Sequence, residues 1–386
     1  MEKVKLNELA NIYLGVTHTP EYVLEGVPFL SVKDISGGKI CFDDCKYISQ
    51  EEYDSLSEGA KPKVGDMLFC RVGTLGKPII IPEGTPLFGS FVSLGYLRNR
   101  NSDRCDLNYL RYWMYSNSFW KQVNANVKGA SQINLNTGWL SKFYIDLPGI
   151  AEQRYRISVL DKCKSVIEER EAELAALDDL IKARFVEMFG DMIINPNGWG
   201  KVLLGEACDV RDGTHDSPKY FTEGYPLVTS KNVTGGKIDF ADCSLICEED
   251  YNKINQRSKV DMGDILMPMI GTVGNPVIVD IEAEFAIKNV ALIKFRENST
   301  VINSFVKALL ESDYFDRAVI SKVRGGTQKF ISLGDIRKLE ICLPPIAVQE
   351  QFSDFAKQVD KSKVAVQKAL DETQTLFDSL MQEYFG

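Results

Sequence analysis

Three short loops, each present twice along the chain, gather the side chains best suited to grip an extended polar ligand. The first is Gly15-Val-Thr-His-Thr19, matched by Gly213-Thr-His-Asp-Ser217, and Lys33 and then Lys231–Asn232 follow each copy after a predicted strand. The second is Arg71-Val-Gly-Thr74, matched by Met269-Ile-Gly-Thr272. The third is Lys128-Gly-Ala-Ser-Gln-Ile-Asn134, matched by Arg324-Gly-Gly-Thr-Gln-Lys-Phe330. Arg, Lys, Asn, Gln, Ser and Thr donate to and accept from base edges in a DNA groove, and Arg, Lys and backbone N–H groups hold phosphates. Glycines let a backbone come close to such a ligand. The expected contact residues are therefore Thr17, His18, Lys33, Arg71, Thr74, Lys128, Ser131, Gln132 and Asn134 in the first copy. In the second they are Thr214, His215, Lys231, Asn232, Thr272, Arg324, Thr327, Gln328 and Lys329. Arginine can fork onto a guanine or a phosphate where methionine cannot, so Arg71 opposite Met269 points to different readout by the two copies. In Gly37-Gly-Lys39 and Gly235-Gly-Lys237 the glycine pair reads instead as a plain hairpin turn.

Bond-making chemistry is not expected. A phosphate-binding loop needs Gly-x-x-x-x-Gly-Lys-Ser/Thr; here Gly73-Thr-Leu-Gly-Lys77 runs into Pro78, and Gly37-Gly-Lys-Ile40 lacks the hydroxyl. An adenine methyltransferase would need an Asn/Asp-Pro-Pro-aromatic loop, and only Leu343-Pro-Pro-Ile346 is present. His18 and His215 are not duplicate positions. Cys41 and Cys45, like Cys243 and Cys247, are four apart and do not form one repeated site. Structural zinc favours four ligands at tighter pair spacing. No catalytic residue, metal or cofactor is assigned.

The 386 residues carry a net charge of −9, which counts against a free-standing DNA binder with a basic footprint. The acidity is uneven: residues 1–149 balance 16 basic against 16 acidic side chains, and residues 191–345 hold 18 against 22. Phosphate neutralisation would then rest on local patches or on a basic partner. The nine cysteines, none in a C-x-x-C pair, suit a reducing compartment and a cytoplasmic protein. No stretch reads as a signal peptide or a membrane span.

The elements that must hold these loops form a tandem repeat. Shifted by 198, residues 4–81 match their second copy at 29 of 78 positions without a gap; further on the shift becomes 196. Such self-similarity is the mark of duplication. Before each proline the chain shows short β-branched runs between Gly, Pro and Asn turns, as in Pro78–Ile81 and Pro276–Val279, with helices expected at 106–122 and 302–321. Trp113, Tyr115 and Trp120 are expected in the core. After each proline the pattern turns helical. Leu160, Ile167, Leu174, Ile181 and Met188 recur every seven residues, and Phe352, Val359, Val366 and Leu380 do so in the second copy with Thr373 interrupting, beside Ala356, Leu370, Phe377 and Tyr384. A sustained seven-residue stripe argues for a coiled-coil seam, here between the two helices of one chain. The fold class is α+β (mixed), as a pseudo-twofold repeat of globular domains at 1–148 and 191–344 alternating with helical regions at 149–190 and 345–386.

The chain resembles, over its whole length, the specificity subunits of type I restriction–modification enzymes. The resemblance rests on Leu147-Pro-Gly-Ile-Ala-Glu-Gln153 and the helix ending Leu180-Ile-Lys-Ala-Arg-Phe-Val-Glu-Met-Phe-Gly190. It rests equally on Leu343-Pro-Pro-Ile-Ala-Val-Gln-Glu-Gln351 and the helix ending Leu376-Phe-Asp-Ser-Leu-Met-Gln-Glu-Tyr-Phe-Gly386. It implies two target-recognition domains, each reading one half of an asymmetric bipartite site in double-stranded DNA. It implies helices that set the spacer and dock two methyltransferase (modification) subunits, with restriction/translocase subunits joining that core. The alternative is a coiled-coil assembly scaffold whose domains bind protein.

Overall fold

The computed structural model describes residues 2–126, 134–270, 273–282, 284–320 and 330–386. The chain forms two compact units: Met1–Arg170 with Ala369–Gly386, and Glu171–Lys368. Each unit is built on the same mixed arrangement of strands and helices.

In the first unit a four-stranded antiparallel sheet runs in the order Ala10–Leu14, Leu94–Asn99, Met67–Cys70, Gly76–Ile80. The second unit repeats it as Asp209–Asp212, Val290–Lys294, Ile265–Pro268, Val277–Ile278. The continuous apolar runs Met67–Cys70 and Ile265–Pro268 are buried at every position, as a strand covered on both faces must be. Alternation then sends neighbours to opposite sides. Met67 and Phe69 enter a core shared with helices, while Leu68 and Cys70 enter a separate core with Leu30 and Phe88. In the second unit Ile265 and Met267 divide from Leu266 in the same way.

A smaller sheet flanks this layer. Tyr22–Val23, Lys46–Ile48, Val27–Leu30 and Gly89–Ser90 form it in the first unit, and Ser244–Ile246, Tyr225–Val228 and Ala286–Ile287 in the second. Gly235 and Gly236, both with positive φ, close a two-residue hairpin between Val233–Thr234 and Lys237–Ile238, as expected of a glycine pair. The first unit forms no strand pair at Gly37–Gly38, where a short 3₁₀ turn over Val32–Asp34 precedes the glycines instead.

Each helix expected ahead of the proline is in fact two. Leu107–Tyr115 is followed by Asn117–Asn126, and Asn303–Leu310 by Asp313–Ala318. Serine makes the break: the Ser116 hydroxyl donates to the Trp113 carbonyl at 2.7 Å and accepts from the Phe119 N–H at 3.3 Å. This is the local side-chain competition that ends helices. Trp113 is buried as expected, but Tyr115 is 49% exposed, because the break turns it outward.

Two helices of 40 residues, Ile150–Phe189 and Ile346–Phe385, follow the prolines. In the first unit Ile157 and Leu160 are buried in one cluster with Phe385, and Phe377, Leu380, Met381 and Tyr384 pack against it. In the second, Phe185 and Phe189 meet Phe352 and Ala356, with Ile181 and Met188 alongside, and Lys363 pairs with Asp178 at 2.5 Å. The same clusters contain core residues of the globular layer, so the helices are rooted in the domains as well as facing one another. Val359 and Val366 are buried, whereas Ile167, Leu174 and Leu370 are half-buried.

Beside these clusters, and beside the bonds of Arg111 and Tyr112 to Asp161 in the first unit, one buried side chain per unit fixes the start of the long helix. The first and last strands of each domain pair, Glu2–Lys5 with Tyr144–Leu147 and Lys201–Leu203 with Glu340–Cys342, and deliver the chain to the helix start. One turn in, Gln153 is fully buried. Its Oε1 accepts from the Asp106 N–H at 2.9 Å, and its Nε2 donates to the Arg104 and Pro148 carbonyls at 2.9 and 2.8 Å. Gln349 repeats this: its Oε1 accepts from Ile302 N–H at 3.0 Å, and its Nε2 donates to the Thr300 and Pro344 carbonyls at 3.0 and 2.8 Å. Three buried backbone groups in each unit are satisfied by one amide. Gln349→Ala should cost about 2–4 kcal/mol, seen as a fall in the urea midpoint at unchanged slope. Lys361→Ala, at an exposed helix position, should move it by less than about 0.5 kcal/mol.

Candidate nucleic-acid interface

The candidate loops converge at one end of the first domain. Gly15 lies so close to a neighbouring loop that an added Cβ would sit 2.2 Å from the Ser90 carbonyl, which only glycine tolerates. Val16 N–H donates to Ser90 at 2.8 Å and Val92 N–H returns to Val16 at 2.9 Å. Arg71 joins this pair of loops to the third: its Nη1 donates to the Val92 carbonyl at 2.7 Å and its Nε to the Leu135 carbonyl at 2.9 Å. Burial holds the guanidinium below the usual arginine value. Arg71 is therefore a staple between loops, which corrects the expectation of a side chain free to fork onto a base. Around it Thr17, His18, Thr74 and Asn134 are exposed. His18 Nε2 stands 3.5 Å from Glu52 Oε1, and Lys33 Nζ donates to the Asp44 carbonyl at 2.7 Å. A shallow cavity of about 330 Å³ opens beside Gly15, Thr17, His18 and Ser57.

The second domain repeats the frame with other side chains. Gly213 is as tightly held, its Cβ position 2.2 Å from the Ile287 carbonyl. Thr214 N–H donates to Ile287 at 2.9 Å and Asn289 N–H to Thr214 at 3.2 Å. Met269, opposite Arg71, is buried in the core, and its carbonyl accepts from Ile331 N–H at 3.0 Å as Arg71 accepts from Leu135. Met269 thus fills with hydrocarbon the place where the first domain uses a guanidinium.

Asn232 is a second correction. It is buried, and its Oδ1 accepts from both the Thr229 N–H and hydroxyl at 2.9 Å, closing a tight turn. Asp34 does the same for Ser31, at 2.7 and 2.9 Å. The pair shapes the loop from within, so Asn232 faces no ligand, while its neighbour Lys231 is exposed. Lys128, Ser131, Gln132, Thr272, Arg324, Thr327, Gln328 and Lys329 lie outside the described residues.

Sequence spacing missed the partners of His215. Its Nε2 is 2.9 Å from Asp212 Oδ2 and its Nδ1 is 2.7 Å from Asn289 Oδ1, while the Arg257 guanidinium pairs with the other oxygen of Asp212. Asn289 is 74 residues away and no periodicity points to it. Among the described residues no group of His, Cys, Asp and Glu is placed to hold a metal, and no helix is long and apolar enough to cross a membrane.

Two copies of a loop-presenting mixed domain, each fastened to a long helix, define a class of tandem-repeat proteins. The family comes from comparison with known proteins. Residues 196–373 match the model of the type I restriction modification DNA specificity domain. The chain is 22% identical over 299 residues to the type I restriction enzyme EcoBI specificity subunit of Escherichia coli, covering 68% of this chain and 62% of that protein. It is 25% identical over 300 residues to the MjaVIII specificity subunit of Methanocaldococcus jannaschii, covering 71% and 69%. The alignment thus spans less than two thirds of the E. coli relative's length. The fold matches a type I restriction–modification S subunit from M. genitalium over 100% of this chain and 96% of that one, with a TM-score of 0.57 at 15% identity. A chain from a structure describing complex assembly and conformational transition of the type I system matches with a TM-score of 0.58 at 19% identity, covering 100% and 97%. The chain is similar to the specificity subunits of type I restriction–modification systems in sequence, and to their S subunits in fold.

The staple has a direct test. Arg71→Met, which installs the second domain's solution without its surroundings, leaves the Val92 and Leu135 carbonyls without their donor. It should cost about 1–3 kcal/mol in thermal unfolding and speed amide exchange at Leu135 and Val92.

Proposed function

We propose that this chain is the non-catalytic DNA-reading subunit of a type I restriction–modification complex. The observation that carries the proposal is the duplicated loop frame, held at the same place in two domains whose exposed side chains differ. Identical frames with different decoration suit a site whose two halves differ in sequence. Each domain reads one half through its loops. The two long helices set the spacer and dock two methyltransferase subunits, with restriction/translocase subunits completing the assembly. The net charge of −9 fits a subunit that grips duplex DNA together with basic partners rather than alone.

Within the loops, Thr17, His18, Lys33, Thr74, Asn134, Thr214, His215 and Lys231 are the contact residues this reading retains among those described, with Arg71 positioning them. Lys128, Ser131, Gln132, Thr272, Arg324, Thr327, Gln328 and Lys329, which lie outside the described residues, remain assigned as contacts by sequence. The heptad residues of both helices remain assigned to helix pairing.

The test is selection from a randomised duplex library by the full chain, with and without a co-expressed methyltransferase subunit, followed by sequencing. Two short dissimilar motifs at a fixed spacing are expected. Exchange of residues 191–344 for another recognition domain should change one motif only. Absence of any enriched motif under either condition would sink the proposal and leave the helices as a protein-assembly scaffold.

A further inference from the structure

Four elements of the second unit bring a polar cluster to the first loop. Asp212 ends the strand Asp209–Asp212, His215 follows three residues on, Arg257 comes from the helix Glu248–Ser258, and Asn289 precedes the strand Val290–Lys294. Asn289 holds a left-handed φ of 55°, and its N–H is bonded to Thr214, so its side chain is fixed beside the histidine. Among the described residues the matching positions of the first domain hold no such set. Leu14, Thr17 and Gly59 stand at the positions of Asp212, His215 and Arg257, and Val92 makes the backbone bond that Asn289 makes.

The Asp212 carboxylate only accepts, so the histidine nitrogen facing it carries a proton. With the Asn289 amide oxygen turned to the other nitrogen, the surroundings favour the doubly protonated ring, in which both nitrogens donate. Asp212 is already balanced by Arg257, so protonating the histidine gives this trio one net positive charge. The neighbouring charges are Asp216 and Lys288, the latter with its Nζ 2.5 Å from the Ser217 hydroxyl. The His215 side chain is 62% exposed while Asp212 is 17% exposed, so the charge lies outermost and its anchor beneath.

Resting on the DNA-reading function proposed for this loop, we infer that His215 is a protonated phosphate contact peculiar to the second domain. With both nitrogens turned into the protein it reads no base edge. It offers the DNA backbone a fixed point charge, and affinity through this domain falls when that charge is lost. The direction of titration agrees. The bond to Asn289, then that to Asp212, raises the histidine above its ordinary value, against burial and the Arg257 charge. A raised histidine stabilises the fold fully below its unfolded value, and that contribution is lost as pH rises through the folded value.

The test uses the full chain with its co-expressed methyltransferase subunit and a labelled duplex carrying the recovered motifs. From pH 6 to pH 8 the affinity should fall about threefold to tenfold beyond that of His215→Gln. At pH 6 the variant's salt slope should be shallower by about one. The free chain has only two histidines, so the variant assigns the His215 proton resonance, which should titrate above about 6.5, and lower in Asn289→Ala. A His215→Gln protein that keeps the full pH dependence overturns the inference, as does a resonance titrating at or below the ordinary value. If neither protein binds DNA at either pH, the DNA-reading function itself has failed and the phosphate contact falls with it.

Discussion

The architecture hangs on a glutamine amide buried at the first turn of each long helix. The chain leading into each long helix leaves a buried proline carbonyl needing a donor, and the chain entering the adjacent short helix leaves an N–H and a carbonyl. Gln153 and Gln349 answer both needs with one side chain that accepts once and donates twice. A hydrophobic contact could slide or rotate; three directed bonds in a dry site cannot without leaving polar groups unsatisfied. Each helix therefore leaves its domain in one orientation. The apolar clusters around Leu160 and Phe352 then add burial to a geometry already fixed.

Above that joint, each domain is a sheet with a core on both faces. The helix-side core carries the joint, and the far core supports the second sheet. Among the described residues, the first loops are consequently held to this layer by backbone bonds at Val16 and Thr214. The two domains hold their loops differently. In the first, Arg71 staples three loops through their carbonyls; in the second, Met269 fills the same place and the polar work passes to Asn289 and His215. Loops meant to meet different partners can thus share one backbone frame.

Much of this was legible in the sequence. The gapless match of residues 4–81 with their second copy implies a shared frame, and the paired sheets have the same strand order. Both 40-residue helices begin just after their prolines, as the change of period indicated. The helices at 106–122 and 302–321 were each read as one where the chain makes two, because a serine mid-pattern stops a helix only when its hydroxyl finds the backbone. The heptad stripe was seen on one side alone: Cys163, Arg170, Leu177 and Arg184 are the other half-buried positions, and arginines do not announce a seam. Side-chain type placed Arg71 and Asn232 among ligand contacts, yet their partners, at Val92, Leu135 and Thr229, are set by tertiary proximity that composition does not encode.

The glutamine joint has an evolutionary corollary. Every bond of Gln153 closes within residues 104–153, and every bond of Gln349 within residues 300–349. Each domain thus travels with its own fastening, provided the seam falls beyond the glutamine. A chimera cut in the five residues from the proline to the glutamine would pair one parent's amide with the other's carbonyls. Because the glutamine is the same in both copies, even that graft finds a matching socket. Exchange of one domain by recombination then leaves the glutamine joint of the other untouched.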